Sequence, residues 1–181
     1  MSTQQDWDEY FMQIAEAAAV KSKDPSSKMG CAIVDTNKRV VSLGYNGLPQ
    51  GADESKMTMN ERPMKYYFII HSEMNALIYA RRDLTGCTVY NKTATCENCL
   101  KHCLQAGIKR FVYRELRVHS HSTDPKHSMT NIDTDEAIIR MLAAMPDVET
   151  LNLTNGKTYI QDILDSYDKN SEEYARLAKW I

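Results

Sequence analysis

The chain has 181 residues, the size of one ordinary domain and long enough to bury a core without disulfides or assembly as a precondition. Its 43% hydrophobic and 25% charged residues are those of a globular protein, and a formal charge of −2 with a pI near 6.2 lacks the basic footprint of a polynucleotide binder. The polar N-terminus has no secretory pattern and no apolar run reaches membrane-spanning length, so the expectation is a soluble cytoplasmic protein with neither nucleic acid nor membrane as a partner.

Residues 6–21 carry Trp7, Phe11, Ile14 and Ala18 at helical spacing, an apolar stripe ended by Lys23-Asp24-Pro25. Residues 30–35 and 39–45 read as two strands joined by the turn Asp35-Thr36-Asn37-Lys38, an antiparallel hairpin. Residues 46–66 are rich in Gly, Pro and polar side chains and read as a long loop at the edge of a site. From Ser72 to about Arg81 helix formers dominate, with Met74, Leu77 and Ile78 as the expected inward face. Residues 87–91 form a strand, residues 96–106 a helix capped by Gly107, and residues 109–113 another strand.

A strand, helix, strand order requires a parallel crossover, so the sheet is expected to be mixed, with helices on its faces. Residues 114–131 read as a polar loop, residues 132–144 as a helix facing inward through Ile138, Ile139 and Leu142, and residues 148–153 as a fifth strand. The fold class is α/β in a single domain over 1–181, with residues 154–181 as a C-terminal helical tail.

The chemistry concentrates between residues 71 and 99. Five cysteines, at 31, 87, 96, 99 and 103, are odd in number and clustered, which argues for reduced thiols and metal binding over a disulfide framework. Cys96 and Cys99 project from one helix face at its first turn, where the helix dipole favours the thiolate. His71 supplies a third ligand if its helix entry lies beside that turn, and Glu73 then borders the same cavity. Three ligands, an open position and a carboxylate make a hydrolytic zinc site, in which a metal-activated water is the nucleophile and Glu73 carries protons.

His71-x-Glu73 followed by Cys96-x-x-Cys99 resembles the signature of the cytidine deaminase superfamily. Within it the chain is similar to the deoxycytidylate (dCMP) deaminases, through WDEYFM (7–12), KSKDP (21–25), GYNGLPQG (44–51), RPMKY (62–66), HSEMNA (71–76) and QAGI (105–108). The likeness covers roughly residues 6–113. Two positions depart from it: Ser72 stands where the family has Ala, and Thr95 stands where it has Pro. Ser72 is expected to cap or hydrogen-bond locally, and the Thr95 hydroxyl to cap the Cys96 helix.

What the resemblance implies is a three-layer α/β/α cytidine deaminase-like fold with a five-stranded mixed sheet. It implies Zn2+ on His71, Cys96 and Cys99, Glu73 as proton shuttle, Asn46 at the sugar or phosphate, and Lys28 near the phosphate. The implied reaction is hydrolysis of dCMP to dUMP and ammonia, supplying dTMP synthesis. A homo-oligomer, with a hexamer favoured, and dCTP and dTTP effectors with Mg2+ follow from the same likeness.

Other readings stand beside these. The substrate of such an enzyme can also be deoxycytidine, a 5-substituted dCMP or adenosine in tRNA, and a non-catalytic zinc scaffold uses the same ligands. A closed structural site would enlist Cys103, which otherwise packs as a small hydrophobe, as do Cys31 and Cys87. His119, His121 and His127 form a second metal site, a phosphate edge with Arg114, Arg117 and Lys126, or a plain solvated loop.

Overall fold

In a computed structural model, which describes residues 2–116 and 131–181, helix α1 (Gln4–Ala19) starts at a capping box. The Asp6 amide donates to the Thr3 hydroxyl at 3.1 Å and the Thr3 amide donates to the Asp6 carboxylate at 2.7 Å, so each amide finds its acceptor in the other residue's side chain. Strands β1 (Gly30–Val34) and β2 (Val40–Tyr45) follow as the expected antiparallel hairpin, with Gly30 opposite Tyr45. The segment read as one long loop closes with a short helix, α2 (Lys65–Phe68). Helix α3 (Ser72–Ala80), strand β3 (Thr88–Asn91), helix α4 (Glu97–Gln105) and strand β4 (Arg110–Tyr113) then alternate. Helix α5 (Asn131–Ala143), strand β5 (Glu149–Asn152) and helices α6 (Tyr159–Asp165) and α7 (Glu172–Ala178) complete the chain.

The sheet order is β2-β1-β3-β4-β5. β3 runs antiparallel to β1, while β3, β4 and β5 run parallel, so the sheet is mixed and helices cover both sides. On one face Phe11, Met12 and Ala15 of α1 pack on Ala32, Val34, Tyr90 and Val112. The other face carries the larger core, where Ile33, Val89 and Phe111 meet Ala76, Leu100, Ile138 and Ile139. Tyr159, Ile163 and Leu177 of the tail are buried in that same core. The fold is the three-layer α/β/α arrangement with a five-stranded mixed sheet. Among the described residues no helix is long and apolar enough to cross a membrane.

Two glycines set the helix-to-sheet spacing. A Cβ on Gly30 would lie 2.0 Å from the Ala15 carbonyl oxygen, and one on Gly44 would lie 2.1 Å from the Ser72 oxygen and 2.4 Å from the Ala76 nitrogen. Helices α1 and α3 are thus pressed onto opposite faces of the hairpin at backbone contact. This contact explains why the inward face of α3 differs from the expected one: Ser72, Glu73 and Ala76 are buried, whereas Ile78 is exposed. Small residues face a strand that close, and the longer Ile78 is turned out. Gly107 takes φ +86° after α4, the left-handed cap expected of it.

Helix α1 is also tied down by charge. Its buried face centres on Asp8 as well as Phe11, because Arg110 of β4 grips Asp8 through two bonds of 2.6 and 2.8 Å and the Tyr90 hydroxyl adds a third at 2.8 Å. Burial resists ionisation of this carboxyl, but the Arg110 and Tyr90 bonds win and hold it below its ordinary value of 3.8. A depressed carboxyl contributes stability above the unfolded value and loses it as pH falls through the folded one. Urea unfolding of the parent and Asp8→Asn should therefore differ at neutral pH and converge below pH 3.8; a gap independent of pH would contradict this.

Candidate metal centre

Two helix entries build the site. His71 is the N-cap of α3 with φ −68°, ψ 155°, and Cys96 is the N-cap of α4 with nearly the same backbone, φ −68°, ψ 162°. An extended residue at a helix entry sends its side chain beside the free amides of the first turn, and Cys99 lies in that turn of α4. The Cys96 and Cys99 sulfurs each lie 3.5 Å from His71 Nδ1, and all three donor atoms fall within 4.8 Å of one another. Tetrahedral zinc with bonds of about 2.0–2.3 Å places neighbouring ligand atoms roughly 3.5 Å apart, so the donor set and its spacing suit that ion. Among the described residues this is the one such group of His, Cys, Asp and Glu side chains.

The electrostatics suit a metal as well. A hydrogen bond from Cys99, opposed by burial and aided by His71, draws the Cys96 thiol down to about 3. Cys99 is pushed up, since it keeps the proton that the pair shares, and burial adds to the effect. Glu73 is buried beside the cluster without belonging to it. Burial raises its carboxyl, the Cys96 charge raises it further, and His71 and the Ser72 bond pull it back. The Ser72 hydroxyl donates to Glu73 Oε2 at 2.9 Å, the local bond expected of that residue.

Cys103 is fully buried in the larger core and lies outside the donor group, and burial pushes its thiol up to about 12. The closed three-cysteine site is therefore not the one assembled here. Cys31 and Cys87 are core residues, as expected. The cap of α4 is Cys96 itself, whose sulfur accepts from the Cys99 amide at 3.5 Å, in place of the Thr95 hydroxyl.

Asn46 is buried and engaged on every side. Its Oδ1 accepts from the Met29 amide at 2.8 Å, and its Nδ2 donates to the Ser27 carbonyl at 2.9 Å and to Asp24 at 3.3 Å. Lys28 is exposed and makes no ion pair among the described residues. Arg114 is committed to Glu9 and Glu16 of α1, at 2.6 and 3.0 Å, while His119, His121, His127, Arg117 and Lys126 lie outside the described residues.

The reading from sequence alone missed a buried ion pair. Lys65 Nζ lies 3.1 and 3.0 Å from the two Asp24 oxygens and 2.8 Å from the Ser26 hydroxyl, with both charged side chains under 5% exposed. Asp24 also accepts from the Ser26 and Ser27 amides, and Ser22 donates to the Asn46 carbonyl at 2.8 Å. The network stitches residues 22–29, Asn46 and α2 into one wall. Its signal was present, since Asp24, Asn46 and Lys65 lie in three of the stretches that carried the family likeness.

The comparisons agree with this geometry. The cytidine and deoxycytidylate deaminase zinc-binding region matches residues 5–115. Mouse deoxycytidylate deaminase is 37% identical over 120 residues, 63% of this chain and 67% of that protein. Deoxycytidylate deaminase of Mycobacterium phage D29 is 38% identical over 121 residues, 60% of this chain and 94% of that protein. The crystal structure of dCMP deaminase from cyanophage S-TIM5 with dCMP and dUMP superposes with a TM-score of 0.59 at 22% identity, over 83% of this chain and 99% of that one, a likeness of fold. Matched across its site and most of its sheet, the chain belongs to the zinc-binding cytidine and deoxycytidylate deaminases.

Proposed function

We propose that the protein is a zinc-dependent deaminase that converts dCMP and water to dUMP and ammonia. The observation that carries the reading is the convergence of His71, Cys96 and Cys99 beside a buried Glu73, in a chain akin to deoxycytidylate deaminases. In this reading His71, Cys96 and Cys99 hold the ion. When bound, zinc supplies Lewis acidity that brings a water's pKa from 15.7 to about 7.

The chain's own residues handle the protons. Glu73, kept from bulk water, would take one proton from the attacking water and deliver it to N3 of the ring, then take the second from the hydroxyl added at C4 and pass it to the amine, so that the C4–N bond breaks as the carbonyl forms and ammonia leaves. Its raised proton affinity suits a carrier that must be both base and acid. Ser72 restrains one carboxylate oxygen by its hydrogen bond to Oε2. Asn46 serves the sugar end through the loop it braces. Lys28, an exposed ammonium with no acid partner among the described residues, is available to the phosphate dianion.

The reading extends to a homo-oligomer, hexameric by family likeness, supported by the exposed side chains of Leu43, Tyr45, Tyr67 and Ile78. Regulation by dCTP and dTTP with Mg2+, and a cytoplasmic location, rest on that likeness alone. The test is ammonia release from dCMP, deoxycytidine, CMP and 5-methyl-dCMP, each with and without dCTP and dTTP. Saturable release fastest from dCMP is expected; a zinc-loaded protein inert toward dCMP, or preferring deoxycytidine, would overturn the assignment.

A further inference from the structure

The residue before Cys96 governs how the chain enters α4, and therefore where one metal donor sits. A proline at that position, as in the resembling family, fixes φ near −65° by its ring; Thr95 leaves that torsion free. The structure restrains the neighbouring torsions by other means. The Tyr159 hydroxyl donates to the Thr95 carbonyl at 3.0 Å, with both residues buried. The carbonyl belongs to the peptide plane that joins Thr95 to Cys96, so holding it limits rotation on both sides of that plane.

Tyr159 is itself anchored. Its amide donates to the Thr150 hydroxyl of β5 at 3.0 Å, and its ring lies 5.3 Å from that of Tyr113 of β4. Within the same helix Asp162 accepts from the Tyr113 hydroxyl at 2.7 Å, from Asn152 at 2.6 Å and from Asn155 at 2.9 Å. A rigid connection thus runs from the parallel end of the sheet, through α6, to the backbone beside Cys96. It comes from a segment beyond residue 115, where the family match ends.

We propose that Tyr159 is a positioning residue for the metal centre, replacing with a hydrogen bond from the tail the backbone restraint that a proline ring gives. The proposal rests on the zinc reading of His71, Cys96 and Cys99. Removing the hydroxyl leaves a buried carbonyl unpaired and loosens the entry of Cys96, and support of this kind around metal ligands is worth about 10–100-fold in metal affinity.

The experiment measures zinc transfer from the holoenzyme to a chromogenic chelator, well below the unfolding temperature. Tyr159→Phe should release zinc about tenfold faster or more, and Thr95→Pro added to it should slow release back toward the parental rate. Tyr90→Phe, which removes a buried hydroxyl on the opposite face of the sheet, serves as the control for general destabilisation and should release zinc at the parental rate. Unchanged release in Tyr159→Phe, equal acceleration in Tyr90→Phe, or no recovery with Thr95→Pro would each overturn the proposal. A parental protein that binds no zinc would instead overturn the metal-site reading beneath it.

Discussion

Glu73→Gln is expected to keep about one zinc per chain, the load of a single three-ligand site, while turnover of dCMP falls by about 10²–10⁴-fold, the usual contribution of a positioned proton carrier. The amide has the shape of the carboxylate, and its oxygen can still accept the Ser72 hydroxyl, so neither the packing of α3 nor the donor set should change. What disappears is the ability to take a proton and return it at two places on the ring. KM should move little, because the loss falls in the transition state. Parental turnover in this variant would refute the shuttle. Loss of zinc would show that Glu73 supports the metal.

Lys65→Met should be the most costly single change outside the core. It leaves Asp24 with its burial and its amide donors but without the ammonium that offsets its charge. Breaking a buried pair from one side costs about 3–5 kcal/mol, and the remaining bonds from Ser26, Ser27 and Asn46 put the expectation at the lower end. Urea unfolding should show a lower midpoint at unchanged slope. Adding Asp24→Asn should recover part of the loss, since the stranded charge goes with it. A Lys65→Met cost below about 1 kcal/mol, the range of exposed pairs, would mean that the pair is hydrated in solution.

The donor residues were legible in the sequence because metal chemistry leaves few alternatives at that spacing. His71, Cys96 and Cys99 need only two helix entries brought side by side, and the hairpin and the crossover are both local inferences. The face of α3 was legible only in part. Periodicity ranks side chains by hydrophobicity, and it pointed to Met74, Leu77 and Ile78; Leu77 packs against the core, but the approach of Gly44 demands small residues, so Ser72, Glu73 and Ala76 are buried and Ile78 is turned out. Asp24 and Lys65 were not paired from the sequence because 41 residues separate them and no local pattern joins residues so far apart. Tyr159 lies 64 residues from the carbonyl that it holds, so no local pattern could have paired them.

Gly30 and Gly44 bear on how this scaffold can change. Ser72 and Ala76, the residues that press on Gly44, flank Glu73, so the depth of the carboxylate in the molecule is set by the absence of a single side-chain carbon on β2. Any larger residue at 44 lifts the helix and moves Glu73 with it, and the same holds at 30 for the helix on the other face. These positions have no small steps available to mutation. The segment between Asn46 and α2 begins under the opposite condition, since a Cβ at Gly47 would meet nothing within 4 Å.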